Sequence, residues 1–187
     1  MRKLKLQVQT TVDGYMGGPN GEMDWVAFNC DDGLTRYVTD LTNSMDCIVL
    51  GRKLAEGFIP YWASVAAKPE DPQYTAGQKF TDTPKVVFTK TLTESPWANT
   101  VLAKGDLVDE INQLKQQAGS DLIAYGGAEF VGNLIKHGLI DELQMYDRVL
   151  SPAEVQFLNN NPGSAIPAPG AAAVVGLAGL LSARRRR

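Results

Sequence analysis

Gly126 and Gly127 follow directly on the apolar run Leu122, Ile123, Ala124 and Tyr125. Phe130, Val131, Leu134 and Ile135 then recur at helical spacing. A glycine pair between a strand and a helix lets a ligand approach the backbone closely. It also leaves free N–H groups and the positive end of the helix dipole at the helix start. That chemistry suits a phosphate; a plain tight turn is the equally weighted alternative. Two further strand ends carry cations. Gly51-Arg52-Lys53 ends the run Cys47 to Leu50, and Thr89-Lys90-Thr91 ends the run Val86 to Phe88. Arginine offers a planar fork to phosphate oxygens and lysine a point charge. Val12-Asp13-Gly14 makes a fourth end of this kind. Singly, each cation reads as a solvated loop residue. Together, two cationic ends and a glycine-floored helix start could hold a dinucleotide with an extra phosphate, which favours NADP over NAD. There is no G-x-G-x-x-G fingerprint.

The elements that must position these residues alternate. The chain predicts a strand over 3–11, a helix over 33–43, a strand over 46–50 and a short helix over 53–58. A Pro-containing loop and a strand over 84–89 follow. Asp106 caps a helix over 107–118 that Gly119 stops. Then come the 121–125 strand, its helix to Gly138, and a strand over 142–147. Strands alternating with helices predict an α/β, mostly parallel sheet flanked by helices, with ligands at the carboxyl ends of strands.

Composition excludes other classes. The hydrophobic share is 44% and the charged share 21%, as in a globular protein. The net charge of −3 hides an asymmetry: four of the 18 basic residues are the final Arg184 to Arg187, and all 21 acidic residues precede them. An acidic body without a basic, aromatic-interleaved stripe argues against nucleic-acid binding. Cys30 and Cys47 are too few for a metal site, leaving a disulfide open, and no metal is expected. The single histidine, His137, falls in a last helical turn, where capping is favoured over catalysis.

The pieces TTVDGYMGGPNGEMDW, DCIVLGRKLAEGF, VVFTK and AYGGAEFVGNLIKHGLIDEL stand in the order and spacing of the dihydrofolate reductase superfamily. The chain resembles the branch related to the reductase domain of bacterial riboflavin biosynthesis, over about residues 3–147. The resemblance implies NADP as cofactor. Gln9 and Met16 would offer backbone groups to the nicotinamide carboxamide, and Gly17 would open a mobile loop over 17–23. Gly51, Arg52 and Lys53 would serve the cofactor phosphates, and Thr89 with Lys90 the 2′-phosphate. Gly126, Gly127, Ala128 and Glu129 would line the pyrophosphate, with a cis bond between the two glycines. Trp25 would border the substrate pocket. Thr35 stands where true dihydrofolate reductases carry a carboxylate, so no catalytic acid is assigned and the proton would come from water. Asp31 or Asp32 reads as a helix cap and Asp40 as a solvated side chain. Leu54 replaces a hydroxyl residue.

After Asp147 the family's closing strands are absent from the sequence. The chain instead reads as a strand and helix extension over 148–160, similar to the end of a laminin-G-like sandwich. A linker, an apolar segment and an arginine tail over 161–187 resemble a PEP-CTERM sorting signal. These features imply a cytoplasmic reductase acting on a small molecule, with the tail as a membrane contact and a homodimer suggested by the resemblance. The substrate would be heterocyclic, pterin- or pyrimidine-like, or sugar-linked. The rival is a non-catalytic nucleotide-binding domain tethered through its tail.

Overall fold

The computed structural model describes residues 1–9, 22 and 32–141, with backbone only for residues 32–35. Within them β1 (Leu4–Gln7), β2 (Met45–Gly51), β3 (Lys85–Phe88), β4 (Thr100–Ala103) and β5 (Asp121–Tyr125) form one sheet in the order β1-β5-β2-β3-β4. Every pairing is parallel. Such a sheet is covered on both faces, so its central strands are continuous apolar runs. β2 and β5 are the most buried strands for that reason.

Alternate residues feed two cores. Cys47, Val49, Leu122 and Ala124 join Leu4 and Leu6 on one face, under Ile111 of α4 (Leu107–Gln116) and Val131 and Leu134 of α5 (Ala128–Lys136). Ile48, Leu50, Ile123, Tyr125 and Val87 point the other way. They meet Ala55 and Ile59 of α2 (Arg52–Ala66) and Phe80 of α3 (Tyr74–Asp82). Phe58, Phe80 and Tyr125 form an aromatic cluster there, with centroids 5.3–5.6 Å apart. The sheet, α2 to α5 and the end of α1 (Asp32–Asn43) lie in one unit of the chain, Met1–Asn29 with Val38–Leu143; Cys30–Tyr37 with Gln144–Arg187 makes the other.

The α/β class and the parallel sheet are as expected; β1 is shorter than the expected 3–11, α1, β2 and β3 shift by a residue at one or both ends, and larger differences follow. Helix α2 runs past Phe58 to Ala66, through Pro60. Pro60 lies on the exposed side, while Ile59 and Val65 keep the inner face buried, so packing outweighs the lost backbone bond. The expected Pro-containing loop holds α3, and an unexpected strand, β4, follows β3. Helix α4 ends at Gln116 and Gly119 adopts φ +145°. Asp106 caps α4 as expected: its carboxylate accepts from the Val108 N–H at 2.8 Å and the Asp109 N–H at 3.2 Å. The expected strand over 142–147, the extension over 148–160 and the tail over 161–187 lie outside the described residues.

Candidate functional site

The registers bring the expected ends into one row. Gln7 is opposite Tyr125, Gly51 opposite Phe88, and Phe88 opposite Ala103. One or two residues beyond lie Gln9, Gly126 and Gly127, Arg52 and Lys53, Thr89 and Lys90, and finally Lys104. Met16, Gly17 and Trp25 lie outside the described residues, as does the side chain of Thr35 on α1.

Two helices start in this row on a glycine N-cap. Gly51 precedes α2 and Gly127 precedes α5, and among the described residues no side chain caps either start. Among the described residues their first N–H groups find no acceptor, and the two dipoles bring positive ends to the same edge. The two glycines serve different needs. A Cβ on Gly51 would come within 2.9 Å of Phe130 Cβ, so the β2–α2 turn is packed against α5. Among the described residues, a Cβ on Gly126 or Gly127 would meet only Leu54, at 3.6 and 3.9 Å. Packing among the described residues therefore does not demand glycine at 126 and 127. Leu54, which replaces the family's hydroxyl residue, packs against the second core. The expected cis bond is not found: no described peptide is cis, and Gly127 turns the chain through φ +81°. A glycine reaches that φ without the steric cost other residues meet, so a trans bond suffices for the turn.

Thr89 and Lys90 play different parts. Thr89 is buried, and its Oγ1 accepts the Thr91 and Leu92 N–H groups, both at 3.1 Å. It shapes the turn that presents Lys90. The exposed Lys90 ammonium donates to the Lys104 and Gly105 carbonyls at 2.8 and 2.7 Å. Arg52 pairs with Glu56, and Lys53 with Glu129 at 3.6 Å. Lys104 was missed from sequence because β4 was missed; the signal was a basic residue closing the short run Val101 to Ala103. Phe130 was read only as a core position, yet it stacks on Phe88 at 5.3 Å and holds Gly51. His137 is the backbone C-cap of α5, and Gly138 follows with φ +62°. Cys47 is a buried free thiol, and burial pushes its pKa up; Cys30 lies outside the described residues. Among the described residues no group of three or more His, Cys, Asp or Glu could hold a metal ion. None of their helices is long and apolar enough to cross a membrane.

A family profile described as RibD C-terminal domain matches residues 2–147. YyaP of Bacillus subtilis (strain 168), a protein whose own role is uncharacterized, is 32% identical over 162 residues, covering 84% of this chain and 81% of YyaP. A crystal structure from Shewanella sp. PV-4, of a protein provisionally assigned to riboflavin biosynthesis, superposes with a TM-score of 0.51 at 26% identity. The match covers 75% of this chain and 73% of that one. A diaminohydroxyphosphoribosylaminopyrimidine deaminase/5-amino-6-(5-phosphoribosylamino)uracil reductase from Thermotoga maritima gives a TM-score of 0.49 at 16% identity, over 73% of this chain and 42% of that one.

Proposed function

This chain belongs to the RibD C-terminal domain family, and from that premise we propose that it is an NADPH-dependent reductase of the riboflavin-biosynthesis type. Its substrate is a small heterocyclic or sugar-linked molecule carrying a C=N or C=O carbon that accepts hydride. The provisional assignment of the Shewanella relative supports the heterocyclic choice. One observation carries the cofactor reading: two helix starts on glycine N-caps and four cationic side chains share the carboxyl edge of one parallel sheet. Brought to that edge, NADPH would supply the hydride; the protein supplies orientation and charge.

The residues fit a dinucleotide phosphate. Among the described residues only Leu54 lies near a Cβ built at Gly126 or Gly127, which leaves a cradle that Cβ atoms would fill. The first N–H groups of α5, at Ala128 and Glu129, suit the pyrophosphate, and those of α2 with Arg52 and Lys53 suit its other oxygens. Lys90 keeps one ammonium proton beyond the two it gives to carbonyls, and Lys104 lies beside it. Both suit a 2′-phosphate, with Thr89 holding the turn. Gln9 at the end of β1 suits the nicotinamide carboxamide through its backbone. No described carboxylate is assigned as the acid, and solvent would supply the proton.

The test is a fluorescence titration of the full chain with NADPH and NADH. Charge-assisted contacts to the 2′-phosphate are worth roughly 1.5–3 kcal/mol, so NADPH should bind at least about tenfold more tightly. Lys90→Ala should weaken NADPH alone and narrow the gap. Equal affinity for both cofactors would remove the 2′-phosphate assignment.

A further inference from the structure

We propose that the Glu129 carboxylate is a built-in substitute for the anionic ligand, pairing with Lys53 of the α2 start when the edge is empty and lowering how tightly an anion binds there. This rests on the reading that the α2 and α5 starts receive a pyrophosphate. Each cation of the edge already has an internal acceptor. Arg52 pairs with Glu56 one turn along its own helix. Lys90 and Lys104 donate to main-chain carbonyls. Lys53 differs, because its acceptor is a carboxylate from the first turn of the other helix, Glu129.

That placement gives Glu129 two opposed effects. A negative charge in the first turn of a helix stabilises the helix. Glu129 supplies this to α5, whose N-cap Gly127 has no side chain to offer. The same charge neutralises Lys53 and repels any phosphate that approaches the first N–H groups. The side chains of the pair are 81% and 83% exposed, so solvent screens the bond and it opens readily. An arriving pyrophosphate would take over both jobs, satisfying the α5 start and pairing with Lys53, while Glu129 swings into water.

The consequence has an unusual sign: removing a residue of the site should improve binding. Exposed charge pairs and helix-end charges each amount to less than a factor of about five in an equilibrium. Glu129→Gln should therefore bind both inorganic pyrophosphate and NADPH about three- to fivefold more tightly than the wild type at low salt. The gain should shrink as salt rises towards molar, where screening reaches a few ångströms. Glu129→Asp keeps the charge and should show no such gain. The Glu129→Gln protein should also melt slightly below the wild type without ligand and above it with saturating pyrophosphate.

Calorimetric titration with each anion at two salt concentrations, beside thermal melts, decides the matter. If the wild type binds both anions and Glu129→Gln binds them equally or more weakly, the inference falls and the cofactor reading stands. Equal tightening by Gln and Asp overturns it too, because charge would not be the cause. If the wild type binds neither anion, the cofactor reading falls and takes this inference with it.

Discussion

At the amino ends of the strands, Arg2, Lys85 and Lys115 are 7%, 2% and 4% exposed. Arg2 is clamped by Asp46 and the Ser120 carbonyl, and Lys115 by Asp141 at 2.6 Å and the Leu139 carbonyl at 2.7 Å. Lys85 donates to the Thr81 and Thr83 carbonyls at 2.9 and 2.7 Å, and burial holds its pKa below the usual lysine value. At the carboxyl ends of the same strands, Lys53, Lys90 and Lys104 are exposed, and each rests on an acceptor that it could exchange. A buried charge must keep its partners, because the interior offers no water to replace them. An exposed one can trade them for a ligand. One residue type thus closes one edge of the sheet and serves the other.

The sharpest way to break this contrast is to remove a permanent partner. Asp141 accepts from the Leu4 N–H at 2.7 Å as well as from Lys115, and its own N–H donates to the Leu4 carbonyl. Asp141→Ala would leave the Lys115 ammonium buried with a single carbonyl. Breaking one side of a buried pair costs roughly 3 kcal/mol, so a denaturant midpoint should fall clearly. Below the melting range NADPH affinity should be unchanged, because the carboxyl edge is not touched. The double replacement Lys115→Met with Asp141→Ala should recover much of the stability, since no buried charge remains. A loss no greater than for an exposed pair would show that the amino edge is as exchangeable as the other.

The two ends of β5 sharpen the comparison through pH. Tyr125 closes the strand at the carboxyl end, yet its side chain turns into the aromatic cluster. Burial pushes its phenol up to about 12, against a small opposing effect of its hydrogen bond with Thr42. The unfolded chain releases that proton near 10. The folded value is the higher one, so this stability is fully present below pH 10 and is lost as pH rises towards 12. At roughly 1.4 kcal/mol per unit, the loss approaches 3 kcal/mol. Tyr125→Phe should flatten this alkaline limb, which melts followed across that range would report. At the amino end Asp121 works the other way. Burial opposes its charge, but the Lys3 N–H and Lys5 outweigh it and hold its pKa below the usual carboxylate value. Its contribution is present above the ordinary value and is lost as pH falls through the folded one.

How far the sequence spoke for each edge follows from chain distance. The carboxyl edge was legible because its parts are local: glycine, cation and hydroxyl directly follow an apolar run at Gly51, Thr89 and Gly126. The amino edge was not, because its clamps join residues far apart. Arg2 meets Asp46 and Ser120, and nothing in the residues beside Arg2 points to either partner. Strand β4 was missed because it is an edge strand of four residues with Val101 69% exposed, so it shows no buried run. Helix α3 buries only Gly77 and Phe80, too little for a helical stripe to be seen. Gly77 is there for packing, since a Cβ would come within 2.8 Å of Val65 and Ala66 of α2.

The last contrast lies within the carboxyl edge, between a glycine packed on Phe130 and one with only Leu54 near it among the described residues. Gly51→Ala would press its methyl on Phe130, which also stacks on Phe88. Overpacking of this kind costs roughly 1–3 kcal/mol. Gly127→Ala would meet no described atom nearer than Leu54, and its cost comes from the φ of +81°, roughly 1–2 kcal/mol. The two variants should thus look alike in thermal melts. Phe130→Ala separates them. Combined with Gly51→Ala it should cost less than the sum of the two, because the contact at fault has been trimmed; combined with Gly127→Ala the costs should simply add. Binding separates them again. Gly127→Ala should abolish NADPH binding by filling the open cradle, and no trimming of Phe130 should restore it. Gly51→Ala should lose affinity through misaligned helix starts, and Phe130→Ala should return part of it. If Gly127→Ala binds NADPH as the wild type does, that glycine is only a turn, and the cradle must be sought at the α2 start alone.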